Sequence, residues 1–303
     1  STFSAASFEQ NTTGAGTFAL DGALDTNAGV VTIDSEIVDL NAGITTTAGG
    51  DGQTDNGLVT IKAGAGDVDT GVALTLDGGD ITTTATAAGT ASGAIDIESG
   101  GHADLSGSLI TVGSAGADGG AVDVEVTGNS KSLSIASIDT SGGAAVDASM
   151  GGQAGTIKIQ SSGKTVLHNT SITAAGGGTG TAQGEGAQIK LDGVVELSGG
   201  TLTLDTGHTG GNIVLNSALT GGVDVTLTAG GGNVNVTGGA FGSATDPLKS
   251  LTISAANLTL HDVTTIGLQS YKAGPSGLIT TNSTYTSAGG TIEFDGNVVI
   301  NDD

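Results

Sequence analysis

The residues best able to do chemistry here are paired carboxylates: Asp51 and Asp55 in GGDGQTDNG, Asp67 and Asp69 in GAGDVDTG, Asp123 and Glu125 in AVDVEV, and Asp302 with Asp303. Side chains two apart on a strand face the same side, so such a pair could hold a cation or serve as the acid and base of glycoside hydrolysis. His102, His168, His208 and His261 sit far apart in different stretches, and there is no cysteine to join them in a zinc site. The seven cations are all lysine, namely Lys62, Lys131, Lys158, Lys164, Lys190, Lys249 and Lys272. A lyase-type mechanism, which needs arginine or lysine gathered around a developing anion, therefore has little to work with.

Against the catalytic reading stands a plainer one, in which outward strand positions and turns of an acidic protein carry solvated carboxylates. GGDGQTDNG has part of a calcium-binding glycine-aspartate nonapeptide, but not its repetition every nine residues. The expectation is a protein that is not an enzyme, with no catalytic residue and no cofactor. Calcium is the one metal left in view, with Asp51, Asp55, Asp67 and Asp69 as its candidate ligands. Sugar clefts also use aromatic platforms, and the chain has five Phe and two Tyr.

What must position these residues is a repeat. An Ile-Thr strand end, a Gly/Ala/Ser/Thr loop and a Gly-led alternating strand recur from Ile44, Ile81, Ile110, Ile138 and Ile172, roughly every thirty residues. The loop varies most in length, as in a solenoid whose coils share a core. One coil reads as a Gly-led strand (Leu58, Val59, Ile61), a middle strand (Val72, Leu74, Leu76) and an Ile-Thr strand (Ile81). Apolar residues alternate inward, and Thr suits the outward positions of ITTT and LTLD. The fold expected is all-β: a single-stranded right-handed parallel β-helix, or β-solenoid, of about 10 to 12 coils and on the order of 50 Å long.

One continuous solenoid over 1–303 is expected, with 1–28 as an entering coil, 29–204 as long-loop coils and 205–303 as tighter coils. The loops at 47–56, 84–92, 113–119, 141–154 and 174–186 should stack on one side. Composition agrees: 56 Gly without a three-residue period and only 2 Pro exclude collagen, and ordered alternation of the 36% hydrophobic residues disfavours disorder. A formal net charge of −24 makes nucleic acid and anionic membrane surfaces poor partners. No apolar run is long enough to span a bilayer.

The alternation in GLVTI, GAIDI and GTIKI with paired ITTT or ITAA segments resembles the filamentous-haemagglutinin-like large exoproteins and adhesins exported by two-partner secretion, chiefly over residues 29–204. The resemblance implies a right-handed β-helix, an extracellular or cell-surface bacterial location, and adhesion or fibre formation. The secretion domain of that family is not recognisable in residues 1–28. The expected function is an extracellular structural repeat protein, a segment or subunit of a surface adhesin or filament. A carbohydrate-active β-helix enzyme and a calcium-dependent surface module are the alternatives.

The chain opens with Ser1, which points to a processed or excised portion of something longer. Strands run to both ends without a cap helix. Its expected partners are therefore itself, head to tail, or further repeats of one longer chain, and a host or neighbouring-cell surface. Phe3 and Phe8 at one end and Val298 and Ile300 at the other are the candidate assembly interface.

Overall fold

A computed structural model describes residues 2–11, 16–27, 29–46, 57–64, 72–146, 150–179 and 182–300, with the side chain of residue 169 excepted. Among these residues there is no α-helix, and the recorded strand pairings are all parallel, each between one coil and the next. The fold is a parallel β-solenoid. A coil has three strands, as in Val59–Ala63, Val72–Leu76 and Ile81–Thr82, so stacked coils build three walls.

Each wall buries a column of side chains. In the Gly-led wall the column runs Phe8, Val31, Val59, Ile95, Val122, Ile157, Ile189, Ile213, Val234, Leu258, Ile279 and Val298. At roughly 4.8 Å per rung these residues extend over on the order of 50 Å. The Ile-Thr wall runs from Phe3 through Leu24, Ile44 and Ile81 to Tyr271 and Phe294. The middle wall runs from Phe18 through Val38 and Leu74 to Phe241, Val263 and Tyr285. β-Branched and leucine side chains fill most of these columns because the strand period of two sends every second residue inward, where such shapes stack rung on rung.

Two sequence expectations shift at single residues. Ile110 is not the rung above Ile81: Leu109 is, fully buried, while Ile110 pairs with the outward Thr82. The phase follows a register shift between Leu105 and Ser108, after which Leu109 and, two positions on, Thr111 are buried. Threonine is also not confined to the outside. Thr46, Thr83, Thr111, Thr140 and Thr206 are fully buried, and their hydroxyls donate across the loop to the carbonyls of Gly57 (2.8 Å), Gly93 (2.6 Å), Gly120, Gly155 (2.6 Å) and Gly211 (2.8 Å). This column staples each loop exit to its entrance whatever the loop length. Ala174 takes the place in one coil, where Ala187 N–H donates to the Ala174 carbonyl at 2.9 Å.

Candidate functional site

The outer face of the Gly-led wall gathers the charges. Asp123 and Glu125 point outward from Val122–Val126, and Asp96 and Glu98 stand one rung below them on Ile95–Ser99. Four carboxylates thus share a patch two residues wide and two rungs high. Lysines close it on both sides: Lys62 lies 3.3 Å from Glu98, and Lys158 lies 3.3 Å from Asp123 and 3.7 Å from Glu125. Burial, then repulsion from Asp123, pushes the Asp96 carboxyl above its ordinary range.

The ladder continues upward. Lys190 meets Asp192 at 2.6 Å, and the Asn216 amide donates to Asp192 at 2.6 Å. Although burial opposes it, these two bonds hold the Asp192 carboxyl below its usual range. Asp123 and Glu125 therefore belong to an ion-pair lattice that ties coils together, and among the described residues no group of three or more His, Asp or Glu is arranged to hold a metal ion.

Asp51, Asp55, Asp67, Asp69, Asp302 and Asp303 lie outside the described residues. The histidines do not converge. His102 is half-buried, and its Nδ1 accepts the Ser132 N–H at 2.9 Å beside the Ser132 hydroxyl at 2.7 Å. His168, His208 and His261 are exposed in three other coils. The acid quartet had a readable signal in the sequence, because GAIDIE and GAVDVE repeat the same outward pair. The lysines, which look scattered along the chain, take cross-coil or same-strand partners at Lys62, Lys158, Lys164, Lys190, Lys249 and Lys272.

The second large surface is a flange made of the glycine-rich loops. The loops at 84–92 and 113–119 and the described parts of 141–154 and 174–186 stack as expected; the loop at 47–56 is outside the described residues. Each flange layer folds back on itself, with Gly155 N–H to Thr140 O at 2.9 Å and Gly152 N–H to Gly143 O at 2.9 Å. The same layer bonds to the next through Gly142 N–H to Ala175 O (2.9 Å) and Gly151 N–H to Ala182 O (2.8 Å). Backbone groups are thus bonded in two directions, within a layer and between layers. The chains lie so close that a Cβ on Gly143, Gly152 or Gly177 would stand 1.5, 1.7 or 1.8 Å from a carbonyl oxygen of the adjoining layer. Glycine is required there for close approach.

No family model, curated protein or solved structure compared with the chain matches it.

The two ends of the described rod are aromatic. Phe3, 56% exposed, meets Phe8 edge-on at 6.3 Å, and Phe8 lies 5.8 Å from Phe18. At the other end Tyr271 stacks on Phe294 at 4.9 Å, with Tyr285 edge-on to both. The Tyr271 hydroxyl donates to the fully buried Gln269, whose amide donates to Thr286 O at 2.7 Å. Val298 and Ile300, 43% and 68% exposed, share the strand Asn297–Ile300. Phe3 and Phe8 meet each other, and Val298 and Ile300 share one strand; the two sets lie at opposite ends.

Proposed function

We propose that the chain is a length of stiff extracellular rod, a segment or subunit of a bacterial surface adhesin or filament that continues end to end. The observation that carries this reading is the unbroken parallel column from Phe8 to Val298. Load along such a rod is shared by side-chain stacking and by cross-coil hydrogen bonds in every wall, with the flange adding a further bonded slab. The distribution of aromatic rings favours the same reading: Phe241 and Tyr271 are buried core, and the other rings cluster at the ends of the described rod instead of lining a cleft.

Stacking end to end is supported by matching walls. Phe3 and Phe8 head the Ile-Thr and Gly-led columns that Phe294 and Val298 close, so a further coil at either end continues both columns at one rung spacing. Electron microscopy of the isolated protein tests this. Uniform fibres with an axial repeat near 4.8 Å are expected, shortened in Phe8→Asp and Val298→Asp. Separate short rods of one chain at every concentration would overturn end-to-end stacking.

A further inference from the structure

The turn between the middle and Ile-Thr walls in one coil carries the dipeptide Asp246-Pro247 at the surface. The loop projects between two anchored points. Phe241 and Leu248 are both buried, with Phe241 N–H donating to Asp262 O at 2.8 Å and Leu248 N–H to Thr264 O at 3.1 Å. Asp246 itself is exposed. Its main chain is held twice by Ser243: the Ser243 N–H donates to the Asp246 carbonyl oxygen at 3.0 Å, and the Asp246 N–H donates to the Ser243 hydroxyl at 2.9 Å.

Both halves of an intramolecular acyl transfer meet in this arrangement. The carbonyl that precedes Pro247 is polarised by a backbone donor, the Ser243 N–H, at 3.0 Å, and a donor on that oxygen favours negative charge developing there. The nucleophile is tethered to the same residue, which removes the entropy of bringing the reactants together. Proline is the favourable leaving group, because its nitrogen is a tertiary amide whose departure yields a basic secondary amine.

We propose that Asp246-Pro247 is a self-cleavage site. A side-chain carboxyl oxygen of Asp246 attacks the Asp246 main-chain carbonyl carbon and forms a five-membered cyclic anhydride. The bond from that carbon to the Pro247 nitrogen breaks, and the carboxyl proton passes to the nitrogen. Water then opens the anhydride, leaving a C-terminal aspartate at 246 and an N-terminal proline at 247. The cut does not release the far coils. Ser250–Ala255 stays paired with Asp224–Thr228, and Asn257–Leu260 with Asn233–Val236. The product is a nicked rod whose two pieces remain stacked.

The test is incubation of the purified chain at pH 5 and pH 7, followed by intact mass measurement after unfolding and by size-exclusion chromatography without unfolding. Two fragments meeting at 246/247 are expected, formed faster at pH 5 than at pH 7, while the native particle elutes unchanged. Asp246→Ala and Pro247→Ala, both at a surface turn, should stop the cut. The folded chain should also cleave at least tenfold faster than the same chain in concentrated urea at the same pH. Cleavage at equal rates folded and unfolded would refute the role of the turn, and a chain that stays whole under all these conditions would refute the site.

Discussion

Replacing Gly143 by alanine tests whether the flange is a packed slab or a solvated fringe. A Cβ there would stand 1.5 Å from the Ser114 carbonyl oxygen and 2.3 Å from its carbon, both backbone atoms that no rotamer can move. The backbone at Gly143 is not in the left-handed region, so the effect is one of close approach alone. To admit the methyl group the two layers must part, which costs Gly143 N–H to Ala117 O (2.8 Å), Gly113 N–H to Ser141 O (2.9 Å) and Gly116 N–H to Ala144 O (2.7 Å). At about 1 kcal/mol for each bond, the loss is about 3 kcal/mol.

Two other glycines separate the causes. Gly89, at φ +79°, would place a Cβ with nothing within 4 Å, so alanine there meets only backbone strain of about 1 to 2 kcal/mol. Gly222 is open and not left-handed, so alanine should change stability by less than about 1 kcal/mol. Urea unfolding with amide hydrogen exchange reads all three. In Gly143→Ala the flange amides of Gly113, Gly116 and Gly119, whose bonds cross the parted layers, should exchange about 100-fold faster, since each 1.4 kcal/mol is a factor of ten. If Gly143→Ala behaves like Gly222→Ala in both measurements, the close packing of the layers is wrong.

Further outcomes follow from single side chains. Thr165 faces the core, 1% exposed, and its hydroxyl has no partner among the described residues; Thr165→Val should therefore stabilise the chain by about 1 kcal/mol in urea melts. Thr140→Val removes the staple to Gly155 O and should cost about 1 to 3 kcal/mol, with faster exchange confined to that loop. Asp224 is held below the carboxylate range by Lys249 at 2.6 Å, then by the Ser250 hydroxyl. Its stabilisation is present above the unfolded-state value and lost as pH falls through the lower folded value, so Asp224→Asn should be destabilising at pH 7 and approach the parent in acid. Asp96 has the opposite sign: its raised carboxyl carries a penalty when ionised, so Asp96→Asn should match or exceed the parent at pH 7, and the advantage should vanish as pH falls. Urea titrations at several pH values check both.

How much was legible in the sequence varies by element. Of the coil written as Leu58, Val59 and Ile61, then Val72, Leu74 and Leu76, then Ile81, the structure buries Val59, Ile61, Leu74, Leu76 and Ile81, because a strand's period of two and a shared core leave one way to bury those residues; Val72 is exposed, at a shift in register, and Leu58 lies outside the core. Parallel stacking, the three walls and the position of the loops on one side were legible for the same reason. Local pattern could not decide between Leu109 and Ile110, which are equally apolar neighbours. The irregularity between Leu105 and Ser108 puts Leu109 inside, in phase with Thr111, whose buried hydroxyl donates to the Gly120 carbonyl.

In the sequence alone, composition gives the acidity, and alternation and repeat length determine a solenoid and most of the aliphatic residues of its core. Only the tertiary structure decides what lies beside what. Stacking brings Asp96 and Glu98 under Asp123 and Glu125 and sets Lys62 and Lys158 at their borders, across gaps of roughly thirty residues in the chain. It also turns Gly143, Gly152 and Gly177 from apparent loop filler into contact points where carbonyl oxygens leave no room for a Cβ. The physical reason is that strand alternation is a local property of backbone geometry, whereas ion pairing and close backbone approach depend on which coil lies above which.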